Sequence, residues 1–208
     1  MNKKIQRIIS ALGKESERQR TGKSRPLPGR EMLAITPDTG MFLSILIRAI
    51  HARSVLEIGT SSGYSTLWFA DALLSGKVTG TDASIVTIDS DPAKVQWATE
   101  NFKKAGVDPI VTMVQARATE VLSKIAQSGK KKFDFVFLDA DKENMVRYFN
   151  LVIPCVRPGG IVAADNMLFP EHYRTWMKKY ALHVRRNPNV RSVTVPIGMG
   201  EEITLNLK

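Results

Sequence analysis

The sequence predicts an α/β fold: a doubly wound, mainly parallel seven-stranded sheet with helices on both faces and a C-terminal antiparallel hairpin. Three observations predict it. Short apolar runs of strand length alternate with helix-period stretches from Ser54 onward, which is the pattern of a parallel sheet covered on both faces. Helix start and stop residues fall between those runs. The last two runs are separated only by Ile197-Gly198-Met199-Gly200, short enough for a hairpin.

Taken in order, Ile5, Ile8, Ile9 and Leu12 lie at helical spacing, and the polar stretch Lys14 to Arg30 reads as a mobile loop. Thr36-Pro37 supplies an N-cap with proline at the first helical position, and Phe42, Leu43, Leu46, Ile47 and Ile50 supply that helix's buried face. Ser54 to Ile58 is a strand, Tyr64 to Leu74 a helix closed by Gly76, and Ile85 to Asp89 a strand. Asp91-Pro92 opens a helix that Gly106 closes, followed by a strand from Ile110 to Gln115 and a helix from Thr119 to Gln127. Phe133 to Leu138 and Gly160 to Ala164 are strands flanking a helix that ends before Pro154. A helix from Glu171 to Arg186 leads to strands at Ser192 to Pro196 and Glu202 to Leu207. The expected organisation is one domain, 1–208, with a basic helix and loop over 1–35 and the core over 36–208.

Composition narrows the class. The single cysteine, Cys155, excludes an internal disulfide and a thiolate metal cluster and agrees with a reducing, cytoplasmic setting. Apolar runs fall short of the roughly 20 residues of a membrane helix, so no membrane partner is expected. Net charge is +10, and residues 1–30 hold nine Lys or Arg against two Glu. Such a segment suits an anionic substrate or a nucleic-acid backbone as well as simple solvation. His51, His172 and His183 lack metal-ligand spacing.

Two segments carry chemistry. Val55 to Ser65 runs from a strand through Gly59-Thr60-Ser61-Ser62-Gly63 into a helix, so glycine allows close backbone approach and the helix start offers free N–H groups to a negative group. The G-x-x-x-G spacing fails the dinucleotide pattern. Asp89 ends the second strand, where doubly wound folds place a carboxylate on ribose hydroxyls. Asp139, in Leu138-Asp139-Ala140-Asp141-Lys142, and the pair Asp165-Asn166 each follow a buried strand. Oxygen donors at that sheet edge suit a hard divalent cation such as Mg²⁺, with Lys142 beside it as a base. Met167, Leu168 and Phe169 are placed as an apolar lip, whereas Tyr173, Trp176 and Met177 read as one packed helix face.

In four separated segments, Val55 to Ser65, Ile88 to Pro92, Phe133 to Lys142 and Pro158 to Asn166, the chain resembles the cation-dependent O-methyltransferases of the catechol and caffeoyl-CoA type. The resemblance implies a Rossmann-like methyltransferase using S-adenosyl-L-methionine and a divalent cation. It implies Gly59 and Thr60 at the methionine end, Ser65 on the cofactor carboxylate, Glu57 beneath, Asp89 on the ribose, Ala118 at the adenine, and Asp139 and Asp141 near the cofactor. Asp139, Asp165 and Asn166 become metal ligands, and Lys142 and Asp139 the catalytic pair. Arg117 departs from the polar or acidic residue usual at the adenine edge, and the plant enzymes' extended substrate loop is missing. The implied acceptor is a catechol-like small molecule, with a hydroxylated uridine of tRNA as the alternative and a cofactor-binding module without turnover as a third reading; a homodimer is implied as well.

Overall fold

The computed structural model describes residues 2–75, 83–129 and 132–208, so the expected helix stop at Gly76 lies outside the described residues. Among these residues seven strands, β1 (Ser54–Ile58), β2 (Ser84–Asp89), β3 (Val111–Gln115), β4 (Phe133–Leu138), β5 (Val156–Ala164), β6 (Val190–Val195) and β7 (Glu201–Asn206), form one sheet in the order β3-β2-β1-β4-β5-β7-β6. The first five pair in parallel, while β7 runs antiparallel between β5 and β6. Strand order reverses between β1 and β4, which opens a crevice at their carboxyl ends.

Among the described residues seven α-helices cover the sheet: α1 (Lys3–Arg20), α2 (Pro37–Ala49), α3 (Tyr64–Leu74), α4 (Pro92–Ala105), α5 (Ala118–Ser128), α6 (Met145–Val152) and α7 (Arg174–Arg185). Alternation along each strand divides the core. Val55, Phe135, Phe137, Ile161 and Ala163 pack with helices α1 to α4, whereas Leu56, Ile58, Val136, Leu138 and Val162 pack with α5 to α7. Caps fix the helix entries: the Thr36 hydroxyl accepts from the Thr39 N–H at 3.2 Å, and Asp91 accepts from the Ala93 N–H at 2.8 Å. Gly106 closes α4 in the left-handed conformation.

Three expectations are corrected. Lys14 to Arg20 is not loop but the last two turns of α1. Its lysine, glutamate, glutamine and arginine residues are good helix formers, and the turn is fastened by tertiary contacts that polarity conceals. Ser16 is buried, and Gln19 accepts from the Met32 N–H at 2.8 Å and donates to the Arg30 carbonyl at 3.2 Å. The second correction is β5, which begins at Val156 rather than Gly160, with a register shift against β4 between Phe133 and Phe135. Pro158-Gly159-Gly160 masked that start, since such residues inside a strand usually mark irregular pairing. Asp108–Ile110 is a 3₁₀ turn, so β3 starts one residue after the expected Ile110.

Candidate active site

The turn after β1 is built around Gly59. Its φ is +98°, and a Cβ there would lie 1.9 Å from the Asp139 carbonyl oxygen, so β1 and β4 approach closely only with glycine at this position. The Gly59 N–H donates to the Ile88 carbonyl at 2.9 Å and the Asp139 N–H to the Ile58 carbonyl at 2.9 Å. These two bonds tie together the ends of β1, β2 and β4, which carry Gly59, Asp89 and Asp139.

Beneath this turn Glu57 is fully buried. Ser65 donates to its Oε1 at 2.5 Å, and Thr66 and Thr87 donate to its Oε2 at 2.5 and 2.6 Å. Burial pushes the carboxyl up to about 7, despite the three hydroxyls that favour its charge. Thr60, also buried, shares a 2.6 Å hydrogen bond with Thr87. Glu57, Thr60 and Ser65 therefore form a hydroxyl-carboxyl cluster under the turn.

Above it lies a cavity of about 1110 Å³, lined by Gly59, Asp89, Ala118, Asp139, Asp141, Lys142, Asp165 and Asn166 among others. Asp89 holds the turn from the second strand, accepting from the Ser61 N–H at 2.8 Å and the Asp91 N–H at 3.0 Å. Each of its oxygens thus has one backbone donor and spare lone pairs toward the cavity. Asp141 accepts from the Tyr148 hydroxyl at 2.5 Å and from the Asn144 amide; burial first, and then the bond to Asp141, raises the Tyr148 phenol well above its usual range. Ala118 opens α5 directly after Arg117, and both residues line the wall.

A 3₁₀ turn at Lys142–Asn144 folds Lys142 back, so that its Nζ donates to Asp139 Oδ1 at 2.7 Å with the lysine side chain only 4% exposed. The same Nζ sits 5.7 Å from the Tyr173 ring centre. Asp165 is buried, and Asn166 adopts a φ of +66°, a conformation asparagine tolerates. Burial first, and then the charge of Asp139, raises the Asp165 carboxyl. Glu201, which sequence reasoning missed, faces this cluster from the start of β7. Its carboxyl is buried against that of Asp165, and burial, then the charge of Asp165 and the hydrogen bond shared with it, raises it too. Its neighbour Glu202 differs: Arg185 grips it with two 2.9 Å bonds, and Ser192 donates at 2.7 Å. The available signal was the acid pair Glu201-Glu202 opening the last strand, one residue past the Ala164↔Glu202 register beside Asp165.

The donor set fits a divalent cation. Asp139, Asp165 and Glu201 crowd acid oxygens against one lysine, and their mutual repulsion, which raises Asp165 and Glu201, is what a cation between such oxygens relieves. Among the described residues no group of three His, Cys, Asp or Glu side chains is disposed to hold an ion by itself; the expected set has two carboxylates and an amide. Around the rim Met167 is buried, whereas Leu168 and Phe169 are exposed. The expected helix face divides: Met177 is core, Tyr173 lines the cavity, and Trp176 is 41% exposed. Sequence reasoning also missed Ser16, Gln19, Arg20 and residues 31–34 on the opposite wall, which no local signal connects to a site so distant in the chain.

A crevice at the strand-order reversal, floored by a glycine turn and edged by buried carboxylates and a lysine, defines an α/β enzyme with a nucleotide-type ligand site. The chain belongs to the O-methyltransferase family, whose model matches residues 14–208. Over 140 residues, 67% of this chain and 61% of the relative, it is 32% identical to a protein of Niastella koreensis named catechol O-methyltransferase; the chain thus spans about three fifths of that relative's length. A caffeoyl-CoA O-methyltransferase of Medicago sativa is 28% identical over 85% of this chain and 76% of its own. Among solved structures, the O-methyltransferase TomG of Streptomyces achromogenes, in complex with SAM, is similar with a TM-score of 0.78 and 28% identity, over 95% of this chain and 90% of that one. No helix among the described residues is long and apolar enough to cross a membrane.

Proposed function

We propose that this protein transfers a methyl group from S-adenosyl-L-methionine to one hydroxyl of a catechol-like vicinal diol, with a divalent cation, Mg²⁺ by the chemistry of its ligands, as cofactor. One observation carries the reading: Asp139, Asp165, Asn166 and Lys142 line the same cavity as the Gly59 turn and Asp89. Metal-type oxygens and a buried amine thus stand beside a nucleotide-type floor.

In this reading Asp89 accepts hydrogen bonds from the ribose, and Gly59 lets the methionine end lie against backbone. Thr60, Ser65 and Glu57 set the shape of that floor from beneath, Ala118 packs at the adenine, and Asp141 borders the cofactor. Asp139, Asp165 and Asn166 would hold the cation. When bound, the cofactor supplies an electrophilic methyl group on a sulfonium, and the cation supplies positive charge that favours an ionised acceptor oxygen and a neutral neighbouring amine. Lys142 Nζ takes the acceptor's proton, and Asp139 Oδ1, 2.7 Å away, orients that nitrogen and steadies the ammonium that results. Holding the acceptor oxygen in line serves the reaction more than any single charge, since alignment supplies of order 7 to 11 kcal/mol in well-oriented systems.

A second reading, a hydroxylated uridine of tRNA as acceptor, is favoured by one feature. Lys4, Arg7, Lys14 and Arg18 are exposed along one face of α1, opposite its buried Ile5, Ile9, Leu12 and Ser16. Labelled donor offered with catechol, with phenol and with hydroxylated tRNA separates the readings. Transfer to catechol far above phenol is expected; equal transfer to phenol, or transfer to tRNA alone, overturns the diol reading. The homodimer and the cytoplasmic setting belong to the same proposal.

A further inference from the structure

Helix α1 lies over the start of α3. A Cβ on Gly13 would sit 3.0 Å from the Tyr64 hydroxyl, and Tyr64 is the first residue of α3 after the glycine turn. Ser16, one turn along, is buried and lines the cavity, and Arg20, one turn further, lines it as well and reaches the Ser16 hydroxyl at 3.5 Å. Asn2, at the other end of α1, meets Asp71 late in α3 at 3.0 Å, so the two helices run antiparallel and the last turn of α1, with Arg20, extends past the start of α3 at the glycine turn.

Arg20 has little to do there by itself. Its carboxylate neighbour is Glu17 at 3.6 Å, an exposed i,i+3 contact on its own helix, and such pairs contribute little. Other cations of the wall are engaged or lie elsewhere. Lys94 donates to the Glu31 carbonyl at 2.5 Å, Lys142 is paired with Asp139, Arg117 stands at the entry to α5, and Arg147 stands on α6. At the glycine turn the Ser65 hydroxyl is already donated to Glu57, and α3 starts without a side-chain cap. An anion at this end of the cavity would find helix N–H groups on one side and, on the other, a guanidinium held only by long contacts to Ser16 and Glu17.

We infer that Arg20, reaching across from the N-terminal helix, binds the α-carboxylate of the methionine portion of the cofactor. The assignment rests on the reading of the cavity as an S-adenosyl-L-methionine site and adds to it a residue from outside the core. It also gives the basic α1 a role in holding the cofactor, distinct from any macromolecular contact.

The test is calorimetric binding to the full chain of two ligands, S-adenosylhomocysteine and its decarboxylated analogue, in which a 3-aminopropyl thioether replaces the amino-acid tail. Arg20→Ala should weaken S-adenosylhomocysteine about tenfold or more, as loss of a hydrogen bond to a charged group does, and leave the analogue within about twofold. Arg20→Lys should fall between, since it keeps the charge and loses the planar fork. Thermal melting of the variants should match the parent, because Arg20 is exposed and weakly paired. Equal affinity of parent and Arg20→Ala for S-adenosylhomocysteine overturns the inference, as does an equal loss for both ligands. A parent chain that binds neither ligand instead removes the cofactor reading, and the inference falls with it.

Discussion

Replacing Glu57 by glutamine keeps the shape of the buried cluster and removes its charge, so the variant isolates what ionising that carboxyl does to the fold. The free carboxyl titrates near 4.5, and burial moves it to about 7 in the folded chain. At about 1.4 kcal/mol for each tenfold change in proton affinity, ionised Glu57 weakens the folded state by about 3 kcal/mol relative to its protonated form. Because the folded value is raised, that stability is fully present below pH 4.5, is lost as pH rises through about 7, and changes no further above it. Glutamine does not titrate, and any fixed offset from its amide meeting the Ser65, Thr66 and Thr87 hydroxyls is the same at every pH. Denaturant unfolding of the ligand-free chain at pH 5 and pH 8 should therefore show the parent losing about 2.5 kcal/mol more than Glu57→Gln between the two, the remainder having been lost below pH 5. Parallel losses in parent and variant would refute the reasoning, because Glu57 would then titrate alike folded and unfolded.

Other sites give sharper outcomes. Gly59→Ala places a Cβ 1.9 Å from the Asp139 carbonyl at a φ of +98°; a loss of about 3 kcal/mol or more, or failure to fold, is expected in melting experiments. Lys142→Met should lower kcat by about 10² to 10⁴ while calorimetric affinity for S-adenosylhomocysteine stays near the parent value, since the lysine acts on the acceptor. Burial alone would raise Asp134, but the N–H groups of Arg53 and Ser54, at 2.7 and 2.8 Å, and the Arg157 guanidinium outweigh it and hold the carboxyl below its usual range. Asp134→Asn should cost about 1 to 3 kcal/mol near neutrality. That difference should shrink as pH falls below 4, where the parent's own stabilisation from a depressed acid is lost.

Most of the fold was legible because its signals are local. Thr36-Pro37, Asp91-Pro92 and Gly106 mark helix ends through backbone hydrogen bonds that each residue satisfies or permits on its own. The apolar runs of β1 and β4 are buried on both faces, so they read as continuous. What escaped was tertiary. The last turns of α1 look like solvated loop until Gln19 is seen tying Met32 and Arg30 to the helix. Glu201 reads as a surface acid until β7 inserts beside β5 and presses it toward Asp165. Strand-end carboxylates were visible because a parallel sheet delivers every strand's carboxyl end to one edge; a cavity wall supplied by an N-terminal helix leaves no such trace.

The central claim is that side-chain oxygens of Asp139, Asp165 and Asn166 hold a divalent cation on which methyl transfer to a vicinal diol depends. Turnover of catechol with labelled donor, measured before and after treatment with a chelator and again after adding Mg²⁺, tests it most directly. Activity that disappears with the chelator, returns with Mg²⁺ and fails to return in Asp165→Ala is the predicted result. Undiminished turnover in chelator would contradict it.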